Sequence, residues 1–367
     1  LSQYEFRTQK EIQKYLDAWG IENYPCAQTG VVGIIRGNTD GITVGLRGDI
    51  DALPILEKSN QPYCSVNAGV MHACGHDAHT AILLGVGKIM KELSKTKDSF
   101  RGNVKLFFQP AEETIGGGER MVKENCMENP SVDYVLGLHV VPYIDAGKVE
   151  IKYGKLNAST DSIKIVIKGK AAHGAYPDKG IDSIVIAGNV ITSLQTITSR
   201  NTSPLNSIVI SLGKISGGVK DNVIADEVVI TGTLRALDYE TRNYTKKRIA
   251  DVVKNISAAY GGEGNTEFYE GYKFLINNDE VVDVIKENAE KILGTENVVH
   301  KEFPSLGAED FSYFSDVAEG AFFHLGCGNV KKGITSFLHT ESFDIDEECL
   351  KTGVLLQVQN VLSLLNK

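Results

Sequence analysis

Two patterns of apolar and polar positions alternate along the first part of the chain. Residues 2–19 carry a helical pattern and are followed by the compact apolar runs VVGII and ITVGL. A helical stretch after His79, the run VKLFF, a helix around residues 119–126 and the run YVLGL continue the series. Short apolar runs bounded by turn residues read as buried strands, and their alternation with helices predicts an α/β layer architecture.

From about residue 161 to residue 272 the order changes. Strand SIKIVIKG, helix IDSIVIAGNVITSLQTI, strands SIVISLGKI and EVVITGTLRA, helix ETRNYTKKRIADVVKNISAAY and strand TEFYEG follow one another. This β-α-β-β-α-β order is the ferredoxin-like pattern. Helix DEVVDVIKENAEKIL, strand AFFHLG and a last helix over 346–365 then resume the earlier style. The expected organisation is a discontinuous α/β domain of residues 1–160 and 273–367, with a ferredoxin-like α+β domain inserted at 161–272. A length of 367 residues suits about two domains. Exposed strand edges in the inserted block predict pairing with a second copy, and so a homodimer.

Composition narrows the partners. Apolar residues make up 42% and charged residues 23%, the balance of an ordinary folded protein. The 38 Lys and Arg against 47 Asp and Glu leave a net charge of −9, which repels nucleic-acid phosphates and anionic lipid. Even the apolar run AILLGVGKIM is broken by Lys88, far short of the ~20 residues of a membrane helix. The first residues lack the continuous apolar core of a secretion signal, and the six cysteines lack CxxC spacing. A soluble protein of a reducing cytoplasm is expected.

Candidate chemistry gathers where strands end. MHACGHDAHT places His72, Cys74, His76, Asp77 and His79 together just before an apolar helix. Cys74 and His76 project to one side if extended but diverge by about 200° on a helix, so a shared metal needs a loop there. His76 and His79 could instead share a helix face. GLRGDIDALP runs a strand out into Asp49 and Asp51, although a solvated turn closed by Pro54 would look the same. VKLFFQPAEE ends in adjacent Glu112 and Glu113, which point oppositely if extended. One can then ligate a metal while the other faces its water as general base. YVLGLHV carries His139, and SFLHTESF carries His339.

Thiolate, imidazole and carboxylate donors together suit Zn²⁺, with Mn²⁺ and other first-row ions such as Co²⁺ or Ni²⁺ also accommodated. Five donors exceed one tetrahedral centre, so two divalent ions bridged by a shared ligand and a hydroxide are expected.

In order along nearly the whole chain, LRGDIDALP, HACGHDAH, QPAEE, GLHV, KAAHGAYPDKGID, GGVKDNVIADEVVITGTLR, LGAEDFSYF and LHT resemble the motifs of one family. It is the amidohydrolase branch of the aminoacylase and carboxypeptidase metallopeptidases, which includes hippurate and auxin-conjugate hydrolases. The resemblance implies an α/β metallopeptidase catalytic domain with an inserted lid and dimerisation domain. It implies Cys74, His76, Glu113, His139 and His339 as ligands and Glu112 as general base, with Asp51 orienting a ligand. Asp49 stands where other branches have a metal-binding histidine.

His173 resembles the histidine that stabilises the tetrahedral oxyanion, often from a partner subunit. Asn222 and Arg235 resemble the binders of the substrate carboxylate. The implied reaction is hydrolysis of an N-acyl-L-amino acid or a related small amide with a free carboxylate. Deacetylation of N-acetyl-diaminopimelate and dipeptide cleavage are the nearest alternatives. A non-catalytic metal-binding protein is the alternative from another class, and the presence of Glu112 weighs against it.

Overall fold

The computed structural model describes residues 1–59, 61–96 and 100–367. The chain forms two compact units. The first comprises Leu1–Leu156, Leu275–Pro304 and Asp310–Lys367, and the second Asn157–Phe274 with Ser305–Glu309.

The first unit opens with α1 (Phe6–Ala18), β1 (Glu22–Cys26), β2 (Gly30–Arg36), β3 (Thr43–Asp49) and α2 (His76–Ser94). It continues with β4 (Asn103–Gln109), α3 (Gly117–Lys123), β5 (Tyr134–Asp145), β6 (Val149–Ile151) and β7 (Gly154–Asn157). The second unit supplies β8 (Ser159–Lys168), β9 (Ala172–His173), α4 (Ser183–Thr196), β10 (Ile208–Gly217) and β11 (Val223–Ile224). It closes with β12 (Glu227–Ala236), α5 (Tyr239–Ala259) and β13 (Glu263–Glu270). Back in the first unit lie β14 (Leu275–Asn277), α6 (Asp279–Leu293), β15 (Val298–His300), α7 (Ser312–Ser315), β16 (Glu319–Gly328) and α8 (Glu348–Leu365).

An eight-stranded mixed sheet in the order β1-β2-β4-β3-β5-β16-β6-β15 organises the first unit. Its central strands are buried along nearly their whole length, as a sheet covered on both faces requires. Alternation along β5 feeds two cores. Leu136, Leu138 and Val140 join residues of α2 and α8, whereas Val135 joins Met121 of α3 and Phe314 of α7. β3 runs parallel to both β4 and β5. The chain therefore leaves β3 through α2 to reach β4 on one side, then returns through α3 to β5 on the other. Such a reversal opens a crevice at the carboxyl ends of the strands.

The second unit is an antiparallel sheet, β10-β12-β8-β13, backed by α4 and α5, the ferredoxin-like order read from the sequence. Arg242 of α5 grips the buried Asp161 of β8 with two hydrogen bonds of 2.7 Å, tying helix to sheet. Among the described residues no helix is long and apolar enough to cross a membrane.

Several boundaries differ from the sequence expectation. The first helix begins at Phe6, because the chain ahead of it turns, with Tyr4 N–H bonded to the Leu1 carbonyl at 2.9 Å. The short helix spans Gly117–Lys123 and the last begins at Glu348. β1, β6 and β15 carry little apolar signal. β1 is an edge strand holding Pro25, and the other two are three residues long.

Candidate metal centre

The chain beyond β3 and β4, the middle of β5, the turn into α2 and the loop before α8 converge in the first unit. Beyond β3 the chain passes Asp51 and turns at Cys74 into α2. The turn depends on Gly75, whose φ is +80° and where a Cβ would come within 2.4 Å of Val140 Cγ2. His76 is then the first residue of the helix, so the local geometry is a loop meeting a helix rather than an extended pair. His76 Nδ1 lies 2.9 Å from Asp51 Oδ1. An ionised carboxylate only accepts, so Nδ1 carries the hydrogen, and in the neutral form that a cation requires Nε2 carries the lone pair. That Nε2 is buried and has no hydrogen-bond partner among the described residues. Burial opposes ionisation of Asp51, yet hydrogen bonds from His76, Ser2 and the Glu113 N–H hold its carboxyl below the usual range.

His139 of β5 is oriented in the same way. Its Nδ1 donates to the Val140 carbonyl at 2.7 Å, which leaves Nε2 as a lone-pair donor 3.4 Å from Cys74 Sγ. Burial, with His79 beside it, keeps this imidazole well below the usual histidine pKa and hence neutral. His339 arrives from the loop before α8, where its N–H bonds to the Ala73 carbonyl at 2.7 Å and holds a φ of +62°. Its Nε2 is 3.2 Å from Cys74 Sγ and 2.9 Å from Glu113 Oε1. Glu112 and Glu113 do not point oppositely, because Ala111 has a φ of +54° and the chain turns instead of extending. Both carboxylates consequently lie in one group with His76, their ligand atoms within 4.8 Å of one another.

All five predicted donors thus come together, and Cys74 is common to two sets. Cys74, His76 and His139 form one triad and Cys74, Glu113 and His339 another, each within 4.8 Å. A buried, unpartnered imidazole nitrogen and a second imidazole lone pair turned toward one thiol fit cations better than they fit one another. Burial pushes the Cys74 thiol up to about 12, and a coordinating cation deprotonates such a thiol outright. Mixed sulfur, nitrogen and oxygen donors fit divalent first-row ions.

The remaining histidines of the motif are occupied elsewhere. His79 shares a helix face with His76, rings stacked at 5.5 Å, but both its nitrogens are engaged. Nδ1 bonds Asp49 at 2.5 Å and Nε2 accepts the Val140 N–H at 2.9 Å. His72 Nδ1 meets the Asp51 carbonyl at 3.1 Å. Asp49 is also gripped by Arg47 at 2.7 Å, and Arg47 reaches Asp310 at 2.8 Å and Gln109 at 2.8 Å. Arg47, Asp49 and Asp310 are fully buried and support the floor of the centre. Sequence reasoning gave no role to Arg47, Gln109 or Asp310, although each lies inside a quoted motif. An apolar strand that carries an arginine flanked by glycine and aspartate was the available signal.

His173, Asn222 and Arg235 belong to the second unit. His173 pairs in register with Val223, and Gly174 N–H bonds the Asn222 carbonyl at 2.9 Å, so His173 and Asn222 are neighbours. His173 Nδ1 accepts the Ala175 N–H at 3.1 Å, which places the ring hydrogen of the neutral form on Nε2. Arg235 lies on β12, where Nη1 donates to the Leu306 carbonyl at 2.8 Å.

Known proteins are similar to this chain in sequence and in fold. Residues 45–362 match the model of peptidase family M20/M25/M40. N-acetyl-L-cysteine deacetylase of Bacillus subtilis is 41% identical over 95% of this chain and 81% of its own. Thermostable carboxypeptidase 2 of Saccharolobus solfataricus is 40% identical over 100% of this chain and 92% of its own. Among solved structures, the YXEP protein of Bacillus subtilis, described as a dinuclear metal-binding peptidase of the M20 family, superposes with a TM-score of 0.86. It is 31% identical and covers 100% of this chain and 94% of its own. A thiol shared by two donor triads at the carboxyl ends of a mixed sheet, and a family match over most of the chain, lead to one conclusion: this protein belongs to peptidase family M20/M25/M40, in its amidohydrolase branch, and is a metal-dependent hydrolase.

Proposed function

We propose that the chain hydrolyses the amide bond of N-acyl-L-amino acids, or of related small amides with a free carboxylate, to a carboxylic acid and an amino acid. The observation that carries this reading is the sharing of Cys74 by two donor triads with Glu112 beside them. Two divalent ions held by Cys74, His76, Glu113, His139 and His339, with zinc the best match to the donors, would polarise the scissile carbonyl and acidify water at the site. Glu112 takes a proton from the attacking water and returns it to the amine nitrogen as the C–N bond breaks. Asp51 keeps His76 in the tautomer that presents Nε2.

In the same reading His173 donates from Nε2 to the carbonyl oxygen as it becomes anionic. Asn222 and Arg235 hold the α-carboxylate of the substrate, a task that suits a planar guanidinium fork. N-acetyl-diaminopimelate deacetylation and dipeptide cleavage are the alternatives, the first with a different amine half and the second with an aminoacyl group in place of a simple acyl group.

Metal analysis combined with a panel of N-acetyl-amino acids, N-benzoyl-amino acids, N-acetyl-diaminopimelate and dipeptides tests the proposal. We expect about two ions per chain, turnover of acylated amino acids, and poor turnover of the matching carboxamides, which offer Arg235 no anion. Bound ions with no hydrolysis of any member would favour a non-catalytic metal-binding protein and end this reading.

We further infer a homodimer through the second unit. β10 is the edge of its sheet, and exposed Ile184, Val185, Leu205, Ile215 and Val219 lie on the same unit. Sedimentation at micromolar concentration should give twice the chain mass of 39.9 kDa, and a single-chain mass would remove the inference.

A further inference from the structure

The turn that presents Glu112 and Glu113 is not held by its own strand. Ala111 is fully buried in the left-handed region, which a non-glycine residue rarely adopts and which needs an external hold. Its N–H donates to Glu5 Oε1 at 3.0 Å, a contact spanning 106 positions in the chain. Glu5 is itself buried, at 3% exposure, and its other contacts fix its carboxylate. Oε1 also accepts the Gln3 N–H at 2.9 Å, and Oε2 accepts the Thr29 hydroxyl at 2.6 Å. Three residues earlier, Ser2 donates to Asp51 Oδ2 at 2.5 Å, the same oxygen that accepts the Glu113 N–H at 3.1 Å.

The Pro110–Ala111 and Glu112–Glu113 peptide units, which bracket the turn, therefore both depend on the segment ahead of α1, while the Ala111 carbonyl between them accepts the Gly116 N–H at 3.2 Å. Ala111 N–H is held directly by Glu5. Glu113 N–H is held by Asp51, which Ser2 braces and which also orients His76. A carboxylate suits the first task because a charged acceptor forms a stronger bond to a backbone N–H than a neutral one.

We propose that residues 2–5 are a positioning element of the reaction, with Glu5 as the residue that sets the peptide unit presenting Glu112 and Glu113. This rests on the metal-centre reading above. Glu5 touches neither substrate nor donor atoms. Its effect passes through the Ala111 peptide, so its loss changes how well ions are held and how fast the bond is cleaved rather than how tightly substrate binds.

The test compares Glu5→Ala, Glu5→Gln and Ser2→Ala with Ile12→Val, a buried change on α1 that destabilises the same helix without touching these contacts. The readouts are cobalt(II) titration by absorption, hydrogen exchange at the Ala111 amide, and kcat and KM on a turned-over N-acyl-amino acid, all below the melting temperature. Glu5→Ala is expected to weaken cobalt binding and lower kcat by roughly 10- to 100-fold, with KM unchanged and the Ala111 amide exposed to exchange. Glu5→Gln, which keeps an acceptor for Ala111, should recover much of the loss, and Ser2→Ala should show a smaller one. Ile12→Val should lower the melting temperature only. Glu5→Ala with wild-type cobalt affinity and kcat, or with an undisturbed Ala111 amide, overturns the proposal and leaves Glu5 as an anchor of the fold. If wild-type protein takes up no cobalt, the metal-centre reading is what fails, and the Ala111 exchange still decides whether Glu5 holds the turn.

Discussion

Glu112→Gln is expected to retain its bound ions and lose at least about a thousandfold in kcat, within the range for removing a general base. The substitution keeps the side chain's volume and one acceptor oxygen, and Glu112 is not one of the five donors assigned to the ions. What glutamine cannot do is take up the proton of the attacking water. Metal content measured alongside kcat and KM separates this from loss of the centre, because a transition-state role lowers kcat and leaves KM nearly unchanged. A variant that keeps both its ions and its rate would remove Glu112 from the mechanism. One that loses its ions would make it a ligand.

The second large effect is expected at Cys74. It is the one donor common to both triads, so Cys74→Ala disrupts both positions, whereas His339→Ala leaves Cys74, His76 and His139 intact. The cysteine variant should therefore lose activity altogether and retain little metal. The histidine variant should keep about one ion per chain while also losing activity, because the proposed reaction would draw on both ions. The melting temperature gives an independent reading. Metal binding to the folded state raises it by mass action, and the rise on adding Zn²⁺ or Co²⁺ should vanish in Cys74→Ala and persist in part in His339→Ala. Equal metal retention by the two variants would mean that Cys74 is not shared. The assignment of two positions joined at the thiol would then be withdrawn.

Both expectations, and the Glu5 proposal, concern how a few peptide units are aimed. Cys74 and His76 stand together because Gly75 adopts a left-handed turn with no room for a Cβ. Glu112 and Glu113 stand together because Ala111 also adopts a positive φ, with its N–H held by Glu5. Backbone conformations of this kind persist where surrounding contacts overdetermine them. They make the centre dependent on residues that carry no chemistry themselves.

Much of this was legible in the chain itself. The runs VVGII, ITVGL, VKLFF and YVLGL become the central strands β2 to β5, since a strand buried on both faces must be apolar along its length. The β-α-β-β-α-β order of the middle block becomes the four-stranded sheet with two helices. The five candidate donors were recognisable because they sit in motifs that resemble those of one family, and because sulfur, imidazole and carboxylate groups recur after apolar runs, where an α/β sheet opens its crevice.

What stayed hidden depended on which partner each lone pair would meet. Within HDAHT, His76 and His79 are the same residue type one helical turn apart. They differ only because Asp51 takes one nitrogen of the first and leaves the other unpartnered, whereas Asp49 and the Val140 N–H take both nitrogens of the second. Asp49 was ambiguous until Arg47 and His79 closed around it. Extended geometry predicted that Glu112 and Glu113 would diverge, and a buried carboxylate more than a hundred positions away reverses that. Periodicity and residue chemistry act locally, so the sequence by itself determined the layers, the order of the units and the kinds of donor available. Tautomers, peptide orientations and the sharing of one thiol by two triads are set by contacts between distant segments, and only the tertiary structure decided them.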